Sequence, residues 1–214
     1  MLHECSKINI ILFDSFVVIL YSVMDCRVIL RLLTRAVLSC TYCKLRSDQC
    51  YHLLMIKISR TSVEKYINCQ RCCVLEVKYK IRPRSLPFTL NIGIDNLCKN
   101  EFDHYREKQK PHPLFIKNGI DAVPFKHPYI DEWRSNFKGI RYISEEHQYN
   151  FGGAIDDVWE KPNGQLIISD VKTTAKNEFD WEDTYNKYDY AKGYQRQLEM
   201  YQWLFKMNGL RCCT

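Results

Sequence analysis

With 214 residues, 46% hydrophobic and 26% charged, the chain can hold one domain of ordinary size, with or without an appendage, and its composition excludes a disordered chain. Its net charge of +6 is moderate: solubility alone accounts for it, and nucleic acid is the obvious polyanionic partner. The 11 cysteines are odd in number, irregularly spaced and follow no clear secretory signal, which argues against a disulfide framework and for a reducing cytoplasm.

Residues 1–54 contain no glycine and no proline, and hold only 10 of the 56 charged residues. Helix ends and turns normally use both Gly and Pro, so the grammar of the chain changes near Met55. The stretch INIILFDSFVVILYSVM, residues 8–24, is apolar but carries Asp14 at its centre. That makes it marginal for a membrane span and poor as a signal-peptide core. A membrane-associated segment and a helical appendage are two readings of residues 1–54. The preferred one is a non-native extension with Met55 as the true start, and no function is built on it.

From Ile58 the pattern becomes regular. SRTSVEKYINCQRCCVLEVKY predicts a helix capped by Thr61 or Ser62, with Val63, Tyr66, Ile67, Val74 and Val77 at roughly helical spacing. A second helix is expected through FTLNIGIDNLCKNEFDHYREK, turning Leu90, Ile94, Leu97 and Phe102 inward. QKPHPLFIKNG reads as a loop, because Pro111 and Pro113 forbid a continuing helix. FKGIRYISEE reads as a strand, and YNFGGAIDDVWE and QLIISDVKTT as a hairpin across KPNG. DYAKGYQRQLEMYQWLFKMNG predicts an amphipathic helix that stops near Gly209.

A three-residue turn at Pro162-Asn163-Gly164, with Gly164 left-handed, sets Lys161 against Gln165 and Asp156 against Asp170. Two facing carboxylates repel unless a cation sits between them. Lys172 follows Asp170 by two residues and projects from the same face. Two carboxylates and an ammonium converging in this way suit a hard divalent ion, Mg²⁺ or Mn²⁺. The bland alternative is an amphipathic hairpin whose Asp157, Asp170 and Lys172 face solvent. Gln197 and Tyr201, four apart, share a helical face.

The series G-A-I-D (Gly153 to Asp156), D-V-K (Asp170 to Lys172) and Q-L-E-M-Y (Gln197 to Tyr201) resembles the PD-(D/E)XK nuclease superfamily, specifically its RecB-like branch. The likeness covers about residues 58–210, and it includes the Ser-rich helix start and cysteine stretch SRTSVEKYINCQRC. It implies an α/β restriction-endonuclease-like core over residues 55–214, made of a helix, a three-stranded portion of sheet and a helix. It also implies a nuclease that hydrolyses phosphodiester bonds of DNA. Asp156, Asp170 and the backbone carbonyl of Val171 would hold the metal, which acts as Lewis acid and water activator. Lys172 would position the attacking water and steady phosphate charge. Gln197 and Tyr201 would orient the site or substrate, and Lys176, Lys187, Lys192 and Arg196 would hold phosphates.

The sequence departs from the family pattern in two places. Many RecB-like members carry a histidine on the first core helix, where Asp95 stands here, either as a substitute ligand or as an exposed helical residue. After Gly209 only LRCCT remains, so the expected sheet lacks its last strand, and an inactive nucleic-acid-binding fragment is the runner-up. A third reading is a Zn-stabilised interaction domain on Cys40, Cys43, Cys69 and Cys72, a C-x₂-C pair repeated after 25 residues. With only Cys212 and Cys213 beyond the last helix, an iron–sulfur cluster is not supported. Cys69 and Cys72 are expected to be packing residues. His104, His112, His127 and His147 show no ligand spacing and read as loop and surface residues.

Overall fold

The computed structural model describes residues 9–13, 16–20, 55–83, 89–173, 187 and 189–213. Strands β1 (Asn9–Phe13) and β2 (Phe16–Leu20) lead to β3 (Ile56–Ser59), followed by helices α1 (Arg60–Asn68), α2 (Gln70–Tyr79) and α3 (Thr89–Lys108). A short α4 (Pro113–Lys117), β4 (Val123–Pro124) and α5 (Ile130–Trp133) precede the strands β5 (Ile140–Ser144), β6 (Tyr149–Gly153), β7 (Asp157–Glu160) and β8 (Leu166–Thr173). Helix α6 (Asp189–Met207) closes the order. Two sheets result, one of order β1-β2-β8-β7-β4 and one of order β3-β6-β5. This mixed α/β architecture is the one expected from the sequence.

The hairpin of β7 and β8 has the expected register. Asp157 pairs with Ser169 and Glu160 with Leu166, Lys161 donates its N–H to Gln165 at 2.9 Å, and Gly164 sits at φ 76°. A left-handed residue there favours glycine, which is why the turn can be read from the sequence.

Several expectations need correction. YNFGGAIDDVWE is not one strand: it breaks at residues 154–156, so β6 and β7 belong to different sheets. At Gly153 a Cβ would come within 2.6 Å of the Tyr201 ring, and at Gly152 within 2.7 Å of Arg141. The two glycines thus admit neighbours that any larger residue would push away. The first helix is capped by Ser59, whose hydroxyl accepts from the Ser62 N–H at 3.1 Å. It stops at Cys69, which in turn caps α2. Leu97 is 69% exposed, and Cys98 takes the inward position between Ile94 and Phe102, as i, i+4 spacing requires. Leu90 lies among residues whose side chains are not described. The loop after α3 contains α4, because Pro113 at its first turn sacrifices no intrahelical bond. His112 is not on the surface: it is buried and caps α4 through Nδ1, which accepts from the Leu114 N–H at 3.1 Å.

Where residues 1–54 are described, they are strands rather than a helical appendage. β1 and β2 form an antiparallel pair, and β2 runs antiparallel along β8 from Phe16–Thr173 to Leu20–Ser169. The β-branched run FVVIL suits a strand, and the edge of β8 supplies the partner. After α6 the chain returns to that same edge: Cys212 bridges Leu166 in parallel, and Leu166 donates its N–H to Arg211 O at 2.7 Å. Among the described residues no helix is long and apolar enough to cross a membrane.

The core lies in two parts. One packs Val158, Ile168, Leu198, Tyr201 and Phe205 between the strands and α6. The other sets Trp159 against Phe102 and Phe115, with ring centroids 5.5 and 4.2 Å away, beneath α3 and α4. Asp157 lies on that second face, 1% exposed, ion-paired to Arg106 of α3 and accepting the Val158 N–H at 2.7 Å. A buried charge pair is strongly destabilising to break from one side, so Arg106→Ala is expected to lower unfolding free energy by about 3–5 kcal/mol. Urea denaturation checks this, and a loss under about 1 kcal/mol would mean that the pair is effectively solvated.

Candidate active site

Asp156 stands at the break between β6 and β7, in backbone that has left the ladder. Its Oδ2 accepts the Val171 N–H at 2.8 Å. In extended backbone one residue's N–H and C=O point to the same edge, so the Val171 carbonyl also faces the Asp156 side. Asp170, on β8, is 1% exposed. The hairpin register carries it opposite Asp156, as expected, and neither Asp157 nor Asp170 faces solvent as the amphipathic alternative would require.

Gln197 and Tyr201 come from α6, which crosses the face of β8. Gln197 Nε2 donates to Asp170 Oδ1 at 2.7 Å and reaches Tyr201 Oη at 3.3 Å. The i, i+4 pair therefore acts as one bracket, and Gly153 leaves room for its ring. Lys172 is ion-paired with Asp170 Oδ2 and lies 5.0 Å from the centroid of the Tyr194 ring. Both Asp170 oxygens are therefore engaged, Oδ1 by Gln197 and Oδ2 by the Lys172 ammonium. All five side chains, Asp156, Asp170, Lys172, Gln197 and Tyr201, line one cavity of about 280 Å³.

The electrostatics follow from crowding two acids into a buried cleft. Burial, and then the neighbouring Asp170 charge, push the Asp156 carboxyl up to about 6, against the pull of Lys172. Burial opposes the Lys172 ammonium, but Asp170 and Asp156 outweigh it and raise its pKa. Burial also raises Tyr201 and Tyr194. The folded Asp156 carboxyl thus holds its proton more tightly than the unfolded one. Its contribution to stability is complete below pH ~4 and is lost as pH rises through about 6. Without divalent cations, the protein is expected to lose on the order of 2–3 kcal/mol over that window relative to Asp156→Asn. Thermal melts of both proteins from pH 4 to pH 7.5 test this, and parallel curves would refute it.

Other expected residues are placed less centrally. Asp95 forms an i, i+4 ion pair with Lys99 at 2.7 Å and does not line the cavity. Arg196 donates from Nε and Nη2, one edge of its guanidinium, to the Glu64 carboxylate of α1, at 2.9 Å each. Lys187 and Lys192 are exposed. Lys176, Cys40 and Cys43 lie outside the described residues. Cys73 is the packed thiol of its stretch, whereas Cys69 is half-exposed and Cys72 exposed, contrary to expectation. No cluster of three or more His, Cys, Asp or Glu side chains converges among the described residues, so any ion here must rely on paired carboxylates and backbone oxygen.

Sequence reasoning missed Arg60, Tyr194 and the Asn136–Arg141 segment. Arg60, at the start of α1, lines the cavity and hydrogen-bonds toward Tyr201. Tyr194 lies three residues before Gln197, a helical spacing that could have flagged it. Asn136, Lys138, Gly139 and Arg141 also line the cavity. Gly139, at φ 64°, sits where a Cβ would meet Gly153 O at 2.5 Å.

No curated protein and no solved structure gives a significant match to the chain. The family-level sequence profile described as the PD-(D/E)XK nuclease superfamily matches residues 94–212, more than half the chain and inclusive of every side chain in the carboxylate cluster. With the α/β fold and the clustered Asp156, Asp170 and Lys172 beside it, this match shows that the chain belongs to the PD-(D/E)XK nuclease superfamily.

Proposed function

We propose that the protein is a RecB-like, divalent-metal-dependent nuclease that hydrolyses phosphodiester bonds of DNA, with residues 55–214 as its catalytic unit. The observation that carries this reading is the convergence of buried Asp170 and Gln197 with half-buried Asp156 and Lys172 on one cavity.

The residues fit a hard divalent ion. Burial first, and then the Asp170 charge, raise Asp156 to about 6, and the Lys172 ammonium is the cation that meets the Asp170 carboxylate in the protein itself. Asp156, Asp170 and the Val171 carbonyl would hold Mg²⁺ or Mn²⁺, an all-oxygen set matched to those ions. When bound, the ion supplies Lewis acidity and activation of water.

The chain's own groups do the rest. Gln197 fixes the Asp170 carboxylate in one orientation, and Tyr201 braces Gln197. Lys172, held between Asp170 and the Tyr194 ring, points an ammonium at the same spot. There it orients the attacking water and stabilises charge developing on the phosphate oxygens. Lys176, Lys187 and Lys192 hold flanking phosphates in a salt-sensitive way. Arg196, bidentate with Glu64 through one edge of its guanidinium, would reach phosphate with the other.

Incubation with supercoiled plasmid in Mg²⁺, Mn²⁺ or EDTA, alongside labelled single-stranded DNA and RNA, tests the proposal. The expected result is cleavage of DNA with either cation and none in EDTA. DNA binding without cleavage would replace the enzyme by a non-catalytic binding module on the same fold.

A further inference from the structure

We propose that Cys69 and Cys72 form a reversible dithiol–disulfide site that exchanges with small-molecule disulfides.

The two thiols sit at the elbow between α1 and α2. Cys69 has extended backbone and occupies the N-cap of α2, a ten-residue helix, with its sulfur accepting the Cys72 N–H at 3.2 Å. Cys72 lies in the first turn of that helix, and its Sγ is 2.7 Å from the Cys69 Sγ. At that separation the two sulfurs are within reach of a disulfide bond without any rearrangement of the chain beyond the elbow itself. Cys72 is exposed and Cys69 half-exposed, so a soluble reagent can approach both.

The geometry also divides the labour between the two sulfurs. Hydrogen bonding from the Cys72 thiol, then from the Cys72 N–H, lowers the Cys69 thiol, and the same pairing raises Cys72. A thiolate at a helix N-terminus is the nucleophile of exchange. Cys69 attacks one sulfur of the reagent; that S–S bond breaks, a mixed disulfide forms and one thiol departs. Cys72 then gives up its proton and attacks the Cys69 sulfur, expelling the second thiol. The protein loses two electrons and two protons, which the two halves of the reagent carry off as two thiol molecules.

The other described thiols give an internal contrast. Burial pushes Cys98 up to about 11 and Cys212 up to about 12. Cys73 is buried, with its sulfur 3.3 Å from Ser62 O. Oxidation at the elbow would tie the cap of α2 to its own first turn. The adjoining α1–α2 contact, through Lys65 and Glu76, would stay in place.

The test is exposure of the full-length protein to glutathione disulfide, followed by digestion and mass spectrometry. The expected product is a peptide two hydrogens lighter that contains both Cys69 and Cys72, formed while Cys98 and Cys212 remain alkylatable. Cys72→Ser should trap glutathione on Cys69 at least tenfold faster than Cys69→Ser traps it on Cys72. Peptide-resolved alkylation of the unmodified protein gives the same ranking without any substitution. The proposal falls if Cys69 reacts no faster than Cys98. It falls equally if the purified protein holds one zinc ion per chain that shields both thiols until chelated, which would make them metal ligands.

Discussion

Asp170→Asn is expected to abolish the proposed divalent-metal-dependent cleavage, with a loss of at least about a hundredfold, and to leave the fold standing. The asparagine keeps an oxygen for the Gln197 donor that now meets Asp170 Oδ1 at 2.7 Å, so the link between α6 and β8 survives. What disappears is one of two mutually repelling charges. The Asp156 carboxyl, raised first by burial and then by Asp170, returns toward its ordinary range, and apo stability holds or rises. Plasmid nicking, Mn²⁺ titration calorimetry and thermal melting separate the effects: activity and cation binding vanish together while the melting temperature does not fall. Full activity in this variant would end the two-carboxylate site.

Lys172→Ala is expected to lower the cleavage rate on the order of a hundredfold or more, with little change in DNA affinity. The side chain is held between Asp170 and the Tyr194 ring rather than offered to solvent, so its charge acts locally. Removing it leaves Asp156 and Asp170 without their nearest cation, and the apo protein loses stability that Mg²⁺ restores. Single-turnover cleavage and fluorescence anisotropy with labelled DNA, run on the same preparations, give the rate and the affinity. A variant that binds several-fold worse yet cleaves at the parental rate would assign Lys172 to substrate binding and remove it from the chemistry.

The site was legible where short-range rules act. The Pro-Asn-Gly turn fixed the facing of Asp156 and Asp170, and helical spacing alone joined Gln197 to Tyr201. The middle strand was not legible as two, because Gly-Gly followed by Ala-Ile reads as a strand that continues. Only the closeness of the Tyr201 ring and Arg141 shows why both glycines are needed. The cap of the first helix was ambiguous, since Ser59, Thr61 and Ser62 are equally able hydroxyls and tertiary context chose among them. Arg106 and Asp157 stand 51 residues apart, and no local pattern announces such a partner. Arg60 escaped for the same reason, and so did the pairing of Arg196 with Glu64, 132 residues away.

Asp156 and Asp157 are an ambiguous label. Slipping β7 by one residue against β8 would set Asp157 in the place of Asp156 and turn Asp156 to the opposite face, and the acids themselves could not report the error. Their neighbours can. The slip would carry Trp159 away from Phe102 and Phe115, whose rings it meets beneath α3, and would swing Val158 out of the packing under α6. The tandem aspartates are therefore told apart by an alternating tryptophan and valine, and alignment of the cleft carboxylate is proofread by apolar contacts on either side of the strand.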